Sequence, residues 1–398
     1  MTCAEYVLER TTDARVYAWC HLQNSCSWKS NLTSEQYVKR ESVLSLTKIC
    51  NAQRNENELK GIHYWVLRDM GIVKNEGVKN DDEVYDLTYN IVASSETLFR
   101  ESWVFQFKDG IVDRKQVLSP CIGGVYTLPS QRGKGVASIM ITKLNEKLSE
   151  MMDKDRFITL YSEIGNYYEK FGYKNFEVGL CHIPILDEDL NININIDENF
   201  SFNFLKNGEF KQIIEFYKKK FLKQIESLVL LDKNRTKISL IPSIEVIEWH
   251  HERSIFISKT LYDVKPGHFG VQICDNQQNL KGFIIWTHDY KEKSLVLLII
   301  YGENLNILTD LIKLTILEAK KINFEKIICW ESDLFNYKLN INGIDKDETS
   351  KFTKIIETDL HGKLHLKNGS ISAALKFHNN VNDNGNLDWE GNGKWAWF

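Results

Sequence analysis

No two cysteines in this chain stand at CxxC spacing. The eight, at 3, 20, 26, 50, 121, 181, 274 and 329, are scattered, and none joins a histidine cluster with zinc-ligand spacing. Reduced thiols and no bound metal are the expectation. Long apolar runs are missing as well. The longest, such as Leu295–Tyr301 and Phe283–Trp286, are far too short to span a bilayer. The start, MTCAEYVLERTT, has no apolar stretch of the kind a secretory signal needs. A cytoplasmic protein with no membrane partner is expected. There is no basic excess either: 50 Lys plus Arg face 54 Asp plus Glu, a net charge of −4, which argues against a nucleic-acid partner. Proline is down to five while Asn, Lys and Ile are abundant, a bias of the coding sequence rather than of physics.

What remains is ordinary globular composition, 43% hydrophobic and 26% charged. It excludes collagen, a coiled-coil rod and wholesale disorder. A length of 398 residues predicts two domains at roughly 100–200 residues each. Residues 1–180 alternate short segments. Strands are expected at Tyr6–Glu9, Ile62–Leu67, Asp86–Val92, Trp103–Phe107, Val117–Leu128, Phe157–Tyr161 and Phe176–His182. Helices are expected at Asp13–Trp19, Ser34–Leu46 with Ser34 as N-cap, Val136–Met152 and Asn166–Phe171. In the third helix Met140, Leu144, Leu148 and Met152 recur at i, i+4 and form a buried stripe. Gly123 and Gly124 mark a bulge or a close approach in the strand before it.

The acidic, Asn-rich stretch Leu186–Asn199 reads as a linker or, by its alternating Asn and Ile, as an exposed strand. Beyond it, helices are expected at Glu209–Leu231 and Asn304–Asn323, and strands at Gly282–His288, Ser294–Tyr301 and Ile327–Trp330. Strand–strand–helix–strand therefore occurs in both halves, which predicts a degenerate structural repeat. From about residue 350 come strand-like pieces and Gly/Asn turns, ending in DWEGNGKWAWF.

One segment carries chemistry. Val125 to Ala137 reads strand, Gly-rich turn, helix, with Arg132 and Lys134 beside Gly133 and Gly135. Glycines let backbone N–H groups approach a ligand, and the helix start adds unpaired N–H groups and a positive dipole end: an anion site. A Walker A loop fails, because Gly133–Lys134 is followed by Gly135 and preceded five residues earlier by Leu128. A dinucleotide fingerprint fits poorly, with Ser138 in its third glycine slot.

Arg132–Gly133–Lys134–Gly135–Val136–Ala137 resembles the acetyl-CoA loop, Q/R-x-x-G-x-G/A, of the Gcn5-related N-acetyltransferases, the GNAT superfamily. Tyr168–Glu169–Lys170–Phe171–Gly172–Tyr173 resembles that family's YEKxGF signature, with Tyr173 in the Phe slot. The resemblance covers about residues 5–182. LYSEIGNYYEKFGYK and the two-domain length resemble, more narrowly, the fungal lysine N6-acetyltransferases.

The resemblance implies an α+β, three-layer fold of GNAT type, with a mixed, mostly antiparallel sheet flanked by helices. Residues 1–185 would be the acetyl-CoA-binding catalytic domain, 186–200 the linker, and 201–398 a GNAT-like domain with an aromatic tail. The second domain has Tyr301–Gly302–Glu303–Asn304 at the place of the loop, so only the first would take acetyl-CoA. Backbone groups of Tyr126, Thr127 and Leu128 would hold the pantetheine. Gln131, Arg132, Gly133, Lys134, Gly135, Val136 and Ala137 would hold the pyrophosphate. Tyr168 would be the general acid for the departing thiolate, since a phenol's pKa of about 10 lies not far above a thiol's roughly 8.5; Tyr167 is its decoy.

Two departures stand out. Tyr161, with Ser162 next to it, takes the place of an Asn that many members use on the pantetheine. Ser119–Gly123 lacks the Glu that some use as base. Candidate bases are then Asp113, Glu96 and Glu163. A further candidate is the α-carboxylate of Phe398, because two-domain bacterial acetyltransferases that act on aminoglycosides end in an aromatic residue whose carboxylate sits in the active site. Trp395, Trp397 and Phe398 are costly to leave in water, so a packed tail is expected. The implied reaction is direct attack of a small amine, the side-chain amine of free lysine, on acetyl-CoA as co-substrate, without a metal. Arg100 is the candidate for the lysine carboxylate and Glu96 for its ammonium. Polyamines, protein lysines and a non-catalytic acetyl-CoA scaffold are the alternatives. The chain would be a monomer or a small homo-oligomer.

Overall fold

A computed structural model of the chain describes residues 5–51, 59–74, 83–152, 156–186, 198–335, 346–377 and 386–398. In chain order the elements are β1 Tyr6–Thr11, α1 Ala14–Trp28, α2 Ser34–Leu44, β2 Gly61–Asp69, α3 Glu83–Thr88, β3 Ile91–Lys108, β4 Ile111–Thr127, α4 Val136–Met151, β5 Phe157–Ser162, β6 Lys174–Phe176 and β7 Leu180–Pro184. There follow β8 Phe200–Leu205, α5 Lys211–Leu231, β9 Thr236–Leu240, α6 Ile244–Tyr262, β10 Gly270–Asp275, β11 Leu280–Asp289, β12 Ser294–Gly302, α7 Leu305–Lys321, β13 Lys326–Trp330, α8 Glu331–Phe335, α9 Lys346–Lys354, β14 Lys363–Leu366, β15 Ile371–Lys376 and β16 Leu387–Trp389.

Among the described residues these strands form two sheets. The first runs β1-β2-β3-β4-β5-β15-β6, with β9 pairing the far end of β3 and β16 pairing β9. The second runs β14-β7-β13-β12-β11-β10-β8. Both repeat one plan. β2-β3-β4 and β10-β11-β12 are antiparallel meanders, and in each the last strand pairs in parallel with the next, β5 or β13. A parallel pair needs a crossover, supplied by α4 and α7. The repeat is therefore real at the level of structure, two GNAT-like halves. The halves also exchange strands. β15, late in the chain, lies against β5, and β7, from the first half, lies against β13. The expected linker, 186–200, falls almost wholly outside the described residues.

Each sheet packs its crossover helix. Val136, Met140, Ile141, Leu144 and Leu148 of α4 are fully buried against Trp65, Val92, Phe99, Ile122, Ile158 and Leu160, each apolar side chain contributing roughly 2 kcal/mol. Leu308, Leu311, Ile312, Ile316 and Ala319 of α7 do the same in the second half. Leu98, Trp103 and Phe105 of β3 join residues of α5, α6 and Trp395 of the tail in one shared core. That core joins the halves and fixes the tail.

Three expected elements differ. Asp86–Val92 is not a strand; α3 ends at Thr88 and β3 starts at Ile91, since a short Val/Tyr/Leu/Thr run suits either state. Phe176–His182 is two strands in two sheets. The chain crosses between them at Gly179, where a Cβ would lie 2.7 Å from Glu331 Oε2. The cap of α2 is Thr33, not Ser34. Its side chain accepts from Gln36 N while Gln36 Oε1 accepts from Thr33 N at 2.8 Å, a reciprocal capping box.

Candidate active site

The site begins with a parting of strands. β4 and β5 pair only at Cys121↔Thr159 and Ile122↔Leu160. Past Ile122 an extra residue on β4 shifts its register with β3, from Glu96↔Gly123 to Ser94↔Tyr126. Gly124 carries the bulge at φ +56, a conformation glycine adopts without strain. Tyr126 and Thr127 stay paired to β3, which leaves the β5-facing edge of β4 unpaired from Gly123 onward. An extended ligand can add there as a strand.

Behind that edge lies the loop. Gly133 and Gly135 have φ +76 and +78, and a Cβ on either would meet nothing within 4 Å. Gly135 is the N-cap of α4, with no side-chain hydrogen bond to the first turn. Its N–H groups face outward as an anion site. Arg132 lies with its guanidinium carbon 5.4 Å from the Tyr126 ring centroid, and Lys134 Nζ donates to Gln131 Oε1 at 3.0 Å. The corresponding end of α7 is closed: Asn304 Oδ1 accepts from Ile307 N at 3.0 Å, and Glu303 adds a negative charge. The residues expected to hold acetyl-CoA thus form a continuous strand-and-loop surface that fits pantetheine and pyrophosphate chemistry.

Where β4 and β5 part, a cleft of about 130 Å³ opens. Its walls include Gly123, Gly124, Leu160, Tyr161, Glu163, Tyr168, Trp28, Trp397 and Phe398. Tyr168 and Phe398, far apart in sequence, meet here. The Tyr168 hydroxyl makes no hydrogen bond to the protein among the described residues, whereas the Tyr167 hydroxyl is 3.2 Å from Ser138 Oγ. Burial, then the nearby Tyr167 and Glu163, push the Tyr168 phenol up to about 12. The tail packs as expected: Trp395 is buried, and the Phe398 ring lies 3.2 Å from where a Gly123 Cβ would stand. Tyr161 does not offer the amide of the missing Asn. Its ring packs on Trp330 and Trp389, and its buried hydroxyl has no hydrogen-bond partner.

The acids separate. Glu163 is the one side-chain carboxylate among the described residues that line the cleft, with Oε2 accepting from Trp28 Nε1 at 3.2 Å. Glu96 lies behind Gly124 but is engaged by His21, whose Nε2 is 2.5 Å from Glu96 Oε1. Burial opposes the charge on His21, yet the Glu96 carboxylate outweighs it and holds the imidazole above its ordinary pKa. Asp113 sits near the far end of the β3–β4 hairpin, opposite Gln106. Arg100 is buried, and its Nη2 donates to Ala396 O at 3.0 Å. It anchors the tail and does not line the cleft.

Sequence reading missed Trp28, Tyr161 as a wall, and Trp397. It missed them because α1, β5 and the tail converge only in the fold. The aromatic tail itself was the available signal.

An open strand edge leading to an anion-binding helix start, beside a free phenol, is what acyl transfer from a CoA thioester requires, and the protein is an N-acetyltransferase by class. A family model described as "LYC1 GNAT-like C-terminal domain" matches residues 193–398, more than half of the chain, and one described as "Acetyltransferase (GNAT) domain" matches 90–176. The chain belongs to the GNAT acetyltransferases, in the group with the LYC1 GNAT-like C-terminal domain. It is 27% identical to an uncharacterized protein of Saccharomyces cerevisiae over 99% of this chain and 98% of the relative. It is 25% identical to a protein named "Lysine acetyltransferase" of Yarrowia lipolytica over 91% of this chain and 94% of the relative. A crystal structure from Enterococcus faecalis, titled a probable N-acyltransferase, shares the fold at a TM-score of 0.53. The identity there is 10%, over 95% of this chain and 74% of that one. Among the described residues no group of His, Cys, Asp or Glu is placed to hold a metal ion, and no helix is long and apolar enough to cross a membrane.

Proposed function

We propose that the protein transfers the acetyl group of acetyl-CoA to the side-chain amine of free lysine. The observation that carries this reading is the convergence of the open β4 edge, the free Tyr168 hydroxyl and the tail on one narrow cleft. The likeness to the Yarrowia lipolytica protein named a lysine acetyltransferase supports the choice of amine. Walls built from Trp28, Trp397 and Phe398 suit a small amine better than a peptide.

Acetyl-CoA brings an activated acyl group as its thioester. Tyr126–Leu128 hold the pantetheine by backbone hydrogen bonds, and the amides from Gly133 to Ala137 hold the pyrophosphate, since those of Gln131 and Arg132 donate to Leu128 O and Pro129 O within the turn. Positioning the amine against the thioester supplies most of the acceleration. Tyr168 Oη donates its proton to the departing thiolate. Burial has raised that phenol, but the same apolar wall disfavours a bare thiolate, so the two pKa values move together. Glu163 and, where Phe398 is the chain's end, its α-carboxylate are the proposed acceptors of the amine's proton.

The test is thiol release from acetyl-CoA in the presence of lysine, spermidine or a histone peptide. Turnover with lysine well above the other two is expected. Turnover with the peptide alone, or with no amine, overturns the reading.

A further inference from the structure

Beside the cleft lies a second cavity of about 140 Å³, walled by α2, α6, the end of β11 and the tail. Three cationic side chains from three separate elements enter it: Arg40, Arg253 and Lys394. Arg40 is buried to 3% exposure. Its Nε and Nη2 engage Glu41, while Nη1 is buried without a hydrogen-bond partner. Arg253 makes no ion pair among the described residues. Its guanidinium carbon lies 5.2 Å from the centre of the Trp397 ring and 5.9 Å from that of Trp249. Lys394 Nζ stands 3.5 Å over the Trp397 ring, again with no carboxylate partner among the described residues.

The cost of this arrangement is visible. Burial, then Arg40, hold Arg253 down to about 10. Burial, then Arg253, hold Lys394 down to about 7. Nearby carboxylates only partly offset it. Glu41 serves Arg40, and Asp289 Oδ1 accepts the backbone N–H of Lys291 and of Glu292, each at 3.0 Å. His250 adds no charge, since burial depresses its pKa well below the ordinary value and its Nε2 is 3.2 Å from Trp395 O. Glu41 and Asp289 face the three inner cations, Glu163 acts on Lys394, and Lys291 adds a positive charge at the rim, yet neither Arg253 nor Lys394 has an ion-pair partner among the described residues. A buried, unmatched cation is unfavourable unless something pairs with it. An orphan guanidinium N–H on Arg40 beside two cations without ion-pair partners suits a single carboxylate, which arginine recognises through paired N–H donors.

Position supplies the substrate. Trp397 lines the acyl cleft with Tyr168, and its ring also carries Arg253 and Lys394. One indole therefore borders both the place where an amine is acetylated and the cations that a carboxylate would meet. An extended lysine is long enough to reach past one side chain. Its side-chain nitrogen and carboxyl carbon are roughly 7 Å apart, six bonds of about 1.5 Å in zigzag.

We propose that Arg253, Lys394 and Arg40 form the subsite for the α-carboxylate of an amino-acid substrate whose distal amine enters the cleft. This rests on the acetyltransferase reading above and specifies its substrate class. A polyamine meets the wrong sign of charge here, and a lysine within a protein chain has no carboxylate to offer.

The test compares lysine with 1,5-diaminopentane, the same chain without its carboxylate, in the full-length wild type, Arg253→Gln and Lys394→Gln. The wild type should favour lysine. Each variant should lower the lysine-to-diaminopentane ratio of kcat/KM by about 10- to 100-fold, the range for a lost hydrogen bond to a charged group. Lysine affinity measured by calorimetry should fall in step, and the KM for acetyl-CoA should not follow it. An unchanged ratio overturns the proposal, and so does a loss expressed in the acetyl-CoA KM, which would place a CoA phosphate in the cavity. If Arg253→Gln fails to fold, Lys394→Gln carries the same comparison. Lysine that binds through these residues while no amine is acetylated would sink the catalytic reading and leave the subsite standing. Amines acetylated without regard to a carboxylate would do the reverse.

Discussion

Replacing Tyr168 by phenylalanine removes one oxygen atom and little else. The ring keeps its edge contacts with Tyr167 and Tyr173, at centroid distances of 5.3 and 6.0 Å. The hydroxyl has no protein partner among the described residues, so folding loses no hydrogen bond and stability should change by less than about 1 kcal/mol. Catalysis should change far more. General acid catalysis contributes about 10²–10⁴-fold, or about 3–5 kcal/mol of barrier. Because the phenol lies at about 12, it stays protonated across the working range. Wild-type kcat should therefore show no alkaline limb from this group up to about pH 10. Steady-state rates by thiol detection from about pH 6 to about pH 10, with a thermal melt of both proteins, decide the matter. The expected outcome is a kcat lowered at every pH and an unchanged melt. A variant within about threefold of wild-type kcat would refute the acid role, and a collapsed melt would refute the packing argument.

Other outcomes follow from the same geometry. Gly135→Val forces a β-branched residue into φ +78, at about 1–2 kcal/mol, in the middle of the anion site. The KM for acetyl-CoA should rise at least about tenfold while the amine KM moves less, as initial rates at varied acetyl-CoA will show. Trp395→Ala empties a fully buried site in the shared core and should cost about 3–5 kcal/mol in denaturant unfolding, with activity lost as the tail leaves the cleft. Lys394 carries its charge below about 7 and loses it above. The KM for lysine should therefore rise as pH passes upward through that value, and Lys394→Gln should flatten the profile. The groups facing Lys394 are Arg253 and His250 of α6, Asp289 and Lys291 at the end of β11, Glu163, Arg40 and Glu41 of α2, and Asp333 of α8. Arg253 stays charged and His250 neutral across this window. Asp333 accepts from the Lys394 backbone N–H rather than its ammonium.

Local chemistry was legible in the sequence and long-range assembly was not. The α4 stripe, the Gly123–Gly124 bulge and the glycine-rich turn are all encoded within a few residues, by helical period and by positive φ. The reuse of one strand–helix–strand plan was legible as element order. The exchange of β7 and β15 was not, because pairing partners well over 100 residues apart in the chain leave no local trace. Arg100 shows the same limit. A strand arginine near the loop reads as a substrate anchor, yet its face of β3 looks toward the tail, where it holds Ala396. The cations that do enter a cavity beside the cleft, Arg40, Arg253 and Lys394, come from α2, α6 and the tail. No spacing in the sequence links them.

The most direct measurement is to identify the product formed from lysine and acetyl-CoA by the purified protein, using fragment masses that separate the two amines. Acetyl on the side-chain nitrogen, formed by wild type and nearly absent with Tyr168→Phe, is the expected result. Acetyl on the α-nitrogen, release of free acetate, or equal product from both proteins would contradict a cleft in which Tyr168 serves the thioester and the lysine carboxylate points away from it.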